Sequence, residues 1–175
     1  MEKSYKEYLH QITTFIFDVD GVLTDGTLKI TTNGQMHREM NVKDGYALKT
    51  ALNEGFNVCI ISGGTDEGVR IRLETLGIKQ VYLGAHHKVT QLSEFIKEHN
   101  IQTENILYMG DDLPDYPVMK MVGLPTCPQD AVKEIKEVSK YISHKNGGKG
   151  CVRDVIEQVL KVQGKWMREF DAGSH

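Results

Sequence analysis

The sequence predicts an α/β fold: a Rossmann-like, mostly parallel sheet with helices on both faces, a β-hairpin inserted after the first strand, and no cap domain. Short apolar runs rich in β-branched residues alternate with stretches of helical period. Alternation of that kind builds a parallel sheet covered on both sides. One early segment breaks it, carrying Asn33-Gly34 between two extended runs, the strongest short hairpin signal.

Each element follows from its residues. Thr14 to Phe17 reads as a buried strand. The hairpin occupies about 27–40; a two-residue turn would set Leu28 opposite Glu39 and Ile30 opposite His37, leaving neither face cleanly apolar. A first helix begins at Asp44 as N-cap, carries Ala47, Leu48, Ala51 and Leu52, and stops at Gly55. Asn57 to Ile61 is the second buried strand. Val69, Leu73 and Leu76 mark a helix ending at Gly77, and Gln80 to Leu83 is the next strand. A helix from about Lys88 to His99 buries Val89, Leu92, Phe95 and Ile96, and the strand Asn105 to Met109 follows. Later helices are marked by Val132, Ile135 and Val138, then by Val152, Val155, Ile156, Val159 and Leu160. Met167 to His175 has no clear period. Residues 1–166 are therefore expected to form one domain, with 167–175 as a loose C-terminal tail.

Bulk properties narrow the function classes. A chain of 175 residues can bury a real core. A net charge of −3 gives no electrostatic reason to expect nucleic acid or an anionic membrane as partner. No apolar run approaches a membrane span and the first residues have no signal-peptide core, so a cytoplasmic location is expected. Cys59, Cys127 and Cys151 are odd in number and far apart, so buried free thiols are expected rather than a disulfide or zinc site.

In an open parallel sheet, ligands gather at the carboxyl ends of the strands. There the sequence places Asp18 and Asp20, then Ser62 with Gly63-Gly64, then Lys88 after a short loop, then Asp111 and Asp112. Any one of these is an ordinary surface feature; their order and placement at successive strand ends match phosphoryl transfer. Crowded carboxylates need a cation, and hard oxygen ligands suit Mg²⁺. Aspartate is a competent covalent nucleophile for phosphorus, so Asp18 is expected to form an aspartyl-phosphate. A second carboxylate two residues on can protonate the leaving oxygen and then deprotonate the attacking water. Ser62 and Lys88 would hydrogen-bond the phosphoryl oxygens, and Gly21 and Gly63 let backbone approach the ligand.

These residues resemble the haloacid dehalogenase superfamily of phosphatases: Asp18-Val-Asp-Gly21 after the first strand, Ser62 after the second, then Lys88, then Gly110-Asp-Asp112. The resemblance implies that Asp18 is the nucleophile and Asp20 the general acid/base. It implies that Asp18, Asp111 and Asp20 (through its carbonyl) bind Mg²⁺, with Asp112 an outer or water-mediated partner. Asp115 is expected either to cap or to face solvent on the following helix.

A closer likeness spans nearly the whole chain, to a branch of that superfamily that removes phosphate from an acidic eight-carbon sugar in lipopolysaccharide precursor synthesis. It rests on Asp18-Val-Asp-Gly-Val-Leu-Thr-Asp-Gly26, Asn41-Val-Lys-Asp-Gly-Tyr46, Glu74-Thr-Leu-Gly-Ile78, Gly110-Asp-Asp-Leu-Pro-Asp-Tyr-Pro-Val-Met119, Gly147-Gly-Lys-Gly150 and Gln163-Gly-Lys165. It implies substrate contacts at Asp20, Asn41, Val42, Lys43, Asp44, Gly45, Ser62, Gly63, Arg72 and Lys88. Two departures stand out: Gly64 where the branch commonly has Arg, and Lys149 where it often has Arg. A lost guanidinium is a lost bidentate partner for a carboxylate or phosphate. Arg70, Arg72 and Lys149 are the candidates to replace it.

The spacing leaves room only for the hairpin between Asp18 and the first helix, and for one helix and one strand between Ser62 and Lys88. A site without a cap is open to water. The resemblance implies a homotetramer in which the Gly147 to Gly150 loop or the tail reaches a neighbour's site. Two other functions fit the same residues: a phosphatase for a related acidic sugar such as a nonulosonate 9-phosphate, and a non-catalytic binding or regulatory protein on this fold.

Overall fold

The computed structural model describes residues 3–171. Thr14–Phe17 (β1) is followed by Lys29–Ile30 (β2) and Met36–His37 (β3), which pair antiparallel as a separate hairpin. The chain continues through Val42–Asn53 (α1), Asn57–Ile61 (β4), Glu67–Thr75 (α2), Gln80–Tyr82 (β5) and Lys88–His99 (α3). Then come Ile106–Met109 (β6), Tyr116–Met119 (α4), Leu124–Cys127 (β7), Lys133–Val138 (α5), Tyr141–Ile142 (β8), Cys151–Val162 (α6) and Arg168–Asp171 (α7). The larger sheet has the order β5-β4-β1-β6-β7-β8, and every pairing in it is parallel. Strand order reverses at β1, which opens a ligand crevice at its carboxyl end.

Both faces of the sheet are covered, which is why β1 is apolar at consecutive positions rather than alternate ones. Phe15 and Phe17 pack with Leu48 and Ala51 of α1, Leu73 of α2 and Val155 and Ile156 of α6. Ile16 points the other way, toward Leu92 and Phe95 of α3, Val118 of α4 and Ile135 of α5. Fully burying each Phe ring contributes roughly 1.5–3 kcal/mol. In α6, Val152, Val155, Ile156, Val159 and Leu160 fall at helical spacing and are all buried. Cys59, Cys127 and Cys151 are buried free thiols. Among the described residues no helix is long and apolar enough to cross a membrane.

Three local expectations change. The hairpin pairs Lys29 with His37 and Ile30 with Met36, one residue out of the expected register. Its loop is Thr32-Asn33-Gly34, closed by Gly34 N donating to Thr31 O at 2.9 Å, with Gly34 left-handed at φ +81°. Three-residue loops ending in a left-handed glycine are the alternative to the two-residue turn. Helix α1 is capped by Asn41, whose side chain accepts from Lys43 N at 2.8 Å, rather than by Asp44. The tail expected from Met167 onward begins with the single turn α7, and 172–175 lie outside the described residues.

Candidate active site

The chain leaves β1 at Asp18, whose backbone N–H still donates to Met109 O of β6 at 3.2 Å. A wide turn over Val19–Leu23 then swings away, closed by Thr24 N donating to Val19 O at 3.1 Å. Gly21 sits in it at φ +84°, and a Cβ there would fall 1.9 Å from Asp111 Oδ2. Glycine is thus required twice over, for its backbone angle and for the approach of Asp111 from the end of β6.

Lys88, the first residue of α3, reaches into this corner. Its Nζ lies 3.0 Å from Asp18 Oδ2 and 2.7 Å from Asp115 Oδ1. Asp115 is fully buried, so it does not face solvent; it does cap, closing a capping box with Asp112 at the start of the helical turn Leu113–Asp115. Its Oδ1 also accepts from Tyr108 Oη at 2.6 Å, and its Oδ2 from the backbone N–H groups of Asp111 at 3.0 Å and Asp112 at 3.4 Å. Four donors therefore tie together α3, β6 and the loop that carries Asp111. Ser62, at the end of β4, is buried, and its Oγ accepts from Gly64 N at 3.2 Å.

One oxygen from each of Asp18, Asp111 and Asp115 lies within 4.8 Å of the others. Burial, then the charges of Asp115 and Asp112, pushes the Asp111 carboxyl up to about 7. Burial first and Asp115 second push Asp18 well above the ordinary carboxylate range. Burial opposes the charge on Lys88, but Asp18 and Asp115 outweigh it and raise the ammonium. One lysine does not neutralise three carboxylates, and the corner is short of positive charge. Asp115 accepts from four donors and Asp18 from two, Lys88 Nζ on Oδ2 and Val19 N on Oδ1 at 2.7 Å, so Asp18 and Asp111 keep the most lone-pair capacity for a cation.

Asp18, Asp20, Ser62, Gly63, Lys88 and Asp111 line one cleft, with Asp112 and Gly64 at its edge. The structure thus gathers most of the expected set. Asn41, Val42 and Lys43 instead line a separate groove with Lys149 and Arg153. Asp44 is turned inward: its Oδ1 accepts from Arg153 N of α6 at 2.9 Å. Arg72 lies against α1, its Nη2 2.8 Å from where a Cβ on Gly45 would stand. Gly147 and Gly148 pack onto their own chain, with Gly148 N donating to Val22 O at 2.9 Å, so that end of the loop supports the Asp18 turn rather than reaching outward.

Three residues at the site carry no signal in the residue pattern alone. Tyr108 is marked only as a hydroxyl within a buried strand, where such a group needs a partner. His86 lines the cleft from the loop before α3. Arg38, just after β3, fills the space over Gly64 and pairs with Asp20. Arg70, one of the replacements considered for a missing guanidinium, instead donates to Val81 O at 3.2 Å.

Comparison with known proteins agrees with this geometry. The haloacid dehalogenase-like hydrolase family matches residues 80–156. The 3-deoxy-D-manno-octulosonate 8-phosphate phosphatase of Salmonella typhi is 40% identical over 154 residues, 88% of this chain and 82% of that protein. The chain belongs to that phosphatase family. Members of the 3-deoxy-D-manno-octulosonate 8-phosphate phosphatase family are phosphoric monoester hydrolases. The crystal structure of the Yersinia pestis enzyme matches with a TM-score of 0.92 at 32% identity, covering 96% of this chain and 91% of that one. The Moraxella catarrhalis enzyme, solved with magnesium, phosphate and the sugar acid, matches with a TM-score of 0.92 at 30% identity over 97% of this chain and 98% of that one.

Within this family fold, Asp44 makes a measurable prediction. Burial raises its carboxyl from 3.8 to about 6, and its Oδ2 has no hydrogen-bond partner. A raised folded pKa gives stability that is complete below about pH 4 and is lost as pH rises through about 6. Asp44→Asn keeps the oxygen that caps α6 and cannot ionise. Between pH 4 and pH 7 its stability should gain on the wild type by up to about 2 kcal/mol, read from urea midpoints.

Proposed function

We propose that this chain hydrolyses 3-deoxy-D-manno-octulosonate 8-phosphate to the free sugar acid and phosphate, with Mg²⁺, through an aspartyl-phosphate on Asp18. The observation that carries it is the corner itself: a buried Asp18 carboxylate at the sheet's carboxyl edge, held on one oxygen by Lys88 and crowded by Asp111. The kinship at 40% identity supports the substrate.

The donor set fits a divalent cation, since Asp18 and Asp111 are hard, crowded and under-neutralised. Their carboxylates and the Asp20 carbonyl would hold it, with Asp112 reached through water. When bound, Mg²⁺ offsets the repulsion between an anionic nucleophile and an anionic ester. In the first step an Asp18 oxygen bonds to phosphorus as the bond between phosphorus and the sugar oxygen breaks, and the Asp20 proton passes to that departing oxygen. In the second, water bonds to phosphorus, the aspartyl bond breaks, and the proton from water returns to Asp20. Ser62 and Lys88 donate to the phosphoryl oxygens throughout. Asn41, Val42 and Lys43 contact the sugar from the groove they share with Lys149 and Arg153, and Arg72 from α2, with Asp44 and Gly45 shaping the helix start behind them.

The cleft has no cap over it, and Leu28, Ile30 and Met36 of the hairpin are exposed, Ile30 by 66%. An apolar edge strand invites covering. Residues 1–166 act as one hydrolase domain in the cytoplasm, and four copies assemble through the hairpins to close the cleft. Sedimentation at assay concentration should give a tetramer; an active monomer contradicts the assembly.

A panel of sugar phosphates, with Mg²⁺ and with chelator, tests the substrate. The eight-carbon acid phosphate should be turned over fastest and chelator should stop the reaction. Brisk turnover of a nonulosonate 9-phosphate beside negligible turnover of the eight-carbon ester would reassign it.

A further inference from the structure

We propose that Arg38 is the positioning residue for Asp20, and that glycine stands at position 64 because Arg38 needs the room. The inference rests on the reading of Asp20 as the proton donor and acceptor.

Arg38 Nε lies 2.6 Å from Asp20 Oδ1 and Nη2 lies 3.1 Å from Oδ2, a bidentate fork on both oxygens. The remaining nitrogen, Nη1, is 3.2 Å from Asp66 Oδ2. Asp66 is itself fixed as the N-cap of α2, its other oxygen accepting from Gly68 N at 2.8 Å. Every nitrogen of the guanidinium is thus engaged, and three separate pieces of chain meet on it. The burial is uneven: the Arg38 side chain is 8% exposed and that of Asp20 37%. A buried cation that faces a half-open carboxylate serves the carboxylate. It has little surface left to offer a ligand of its own.

Asp20 needs such a hold. Its backbone is extended within the turn, at φ −68° and ψ 122°, so no helix packing fixes the side chain. A proton donor must come within about 2.6–3.2 Å of the leaving oxygen in a set direction. A planar fork fixes both the position and the plane of a carboxylate, which an ammonium does not. Gly64 completes the arrangement. A Cβ there would stand 3.0 Å from Arg38 Nη2 and 3.5 Å from Asp20 Oδ2. At the first of those separations the guanidinium has to shift.

The test uses two leaving groups. A sugar alkoxide needs a proton as it departs; p-nitrophenolate does not. With Mg²⁺, kcat/KM is measured for a primary sugar phosphate and for p-nitrophenyl phosphate, since it reports the first chemical step. Arg38→Ala should lower the sugar phosphate value by about 100-fold, the scale of a mispositioned catalytic group, and the p-nitrophenyl phosphate value by less than about threefold. Arg38→Lys should recover only part of the loss. Gly64→Ala keeps both charged partners and should show the same asymmetry, by roughly three- to tenfold. Asp20→Asn is the independent control on the underlying reading and should show the asymmetry in its largest form. If it does not, the role of Asp20 falls and the proposal with it. If it does, while Arg38→Ala and Gly64→Ala match the wild type or lose both substrates equally, the proposal alone is overturned.

Discussion

Asp18→Asn should abolish turnover, with a loss of roughly 10⁴-fold or more, as expected when the group that forms the covalent bond is removed. The amide has nearly the same shape but no nucleophilic oxygen anion. The fold should survive the change. Burial and the charge of Asp115 already disfavour ionised Asp18, so a neutral side chain of equal size costs the metal-free protein little. Thermal unfolding in chelator should therefore differ little from the wild type while activity disappears. This separates catalysis from a pure binding role on the same fold, which the substitution would leave largely intact. Residual turnover of more than a few per cent would place the nucleophile elsewhere.

Lys88→Met should be the most damaging change to stability at the site. Lys88 is 4% exposed and lies between Asp18 and Asp115. Methionine fills much of the same volume without the charge, leaving three carboxylates within 4.8 Å of one another with no cation bonded to them. Breaking a buried ion pair from one side costs about 3–5 kcal/mol. Activity should fall by roughly 10²–10³-fold as well, since the proposed mechanism makes Lys88 a donor to the transferring phosphoryl group. The two losses can be told apart, because Mg²⁺ supplies charge to the corner. Millimolar Mg²⁺ should recover part of the unfolding midpoint in urea and little of the activity. A variant as stable as the wild type in chelator would mean that Asp115, through Tyr108 and the loop amides, holds the corner without the lysine.

The central strands were legible because burial on both faces leaves no ambiguity of period: Phe15 and Phe17 serve one core, Ile16 the other, and the run is apolar throughout. The residues at those strand ends were legible for the same reason, since strand ends fix where Asp18, Ser62 and Asp111 must converge. Strand β7 was hidden by Pro125, a residue that argues against a strand interior; here Pro125 is paired in register with Tyr108. Strand β8 spans only two residues, too short for any period. Helix α1 began early because Asn41 caps as well as aspartate does, which left Asp44 free to turn inward and cap α6. That long-range contact has no local signature. Neither does the Arg38–Asp20 pair, which depends on where the hairpin exits. A two-residue turn would have put the strands one residue out of register, and side-chain facing in a strand reverses with each residue. Asp115 looked like a helix-start carboxylate and is the most connected acid at the site. Its role became visible only when β6, α3 and the Asp111 loop were brought together.

The most direct measurement of the central claim is to catch the phosphoryl group on Asp18. The enzyme is quenched in acid during turnover with Mg²⁺, treated with borohydride to reduce any acyl phosphate to an alcohol, and digested for mass spectrometry. An aspartyl-phosphate intermediate predicts the reduced side chain at position 18 in the wild type, at no other aspartate, and in neither unreacted enzyme nor Asp18→Asn. Steady turnover with position 18 unmodified, or with the modification at Asp20 or Asp111, would contradict it.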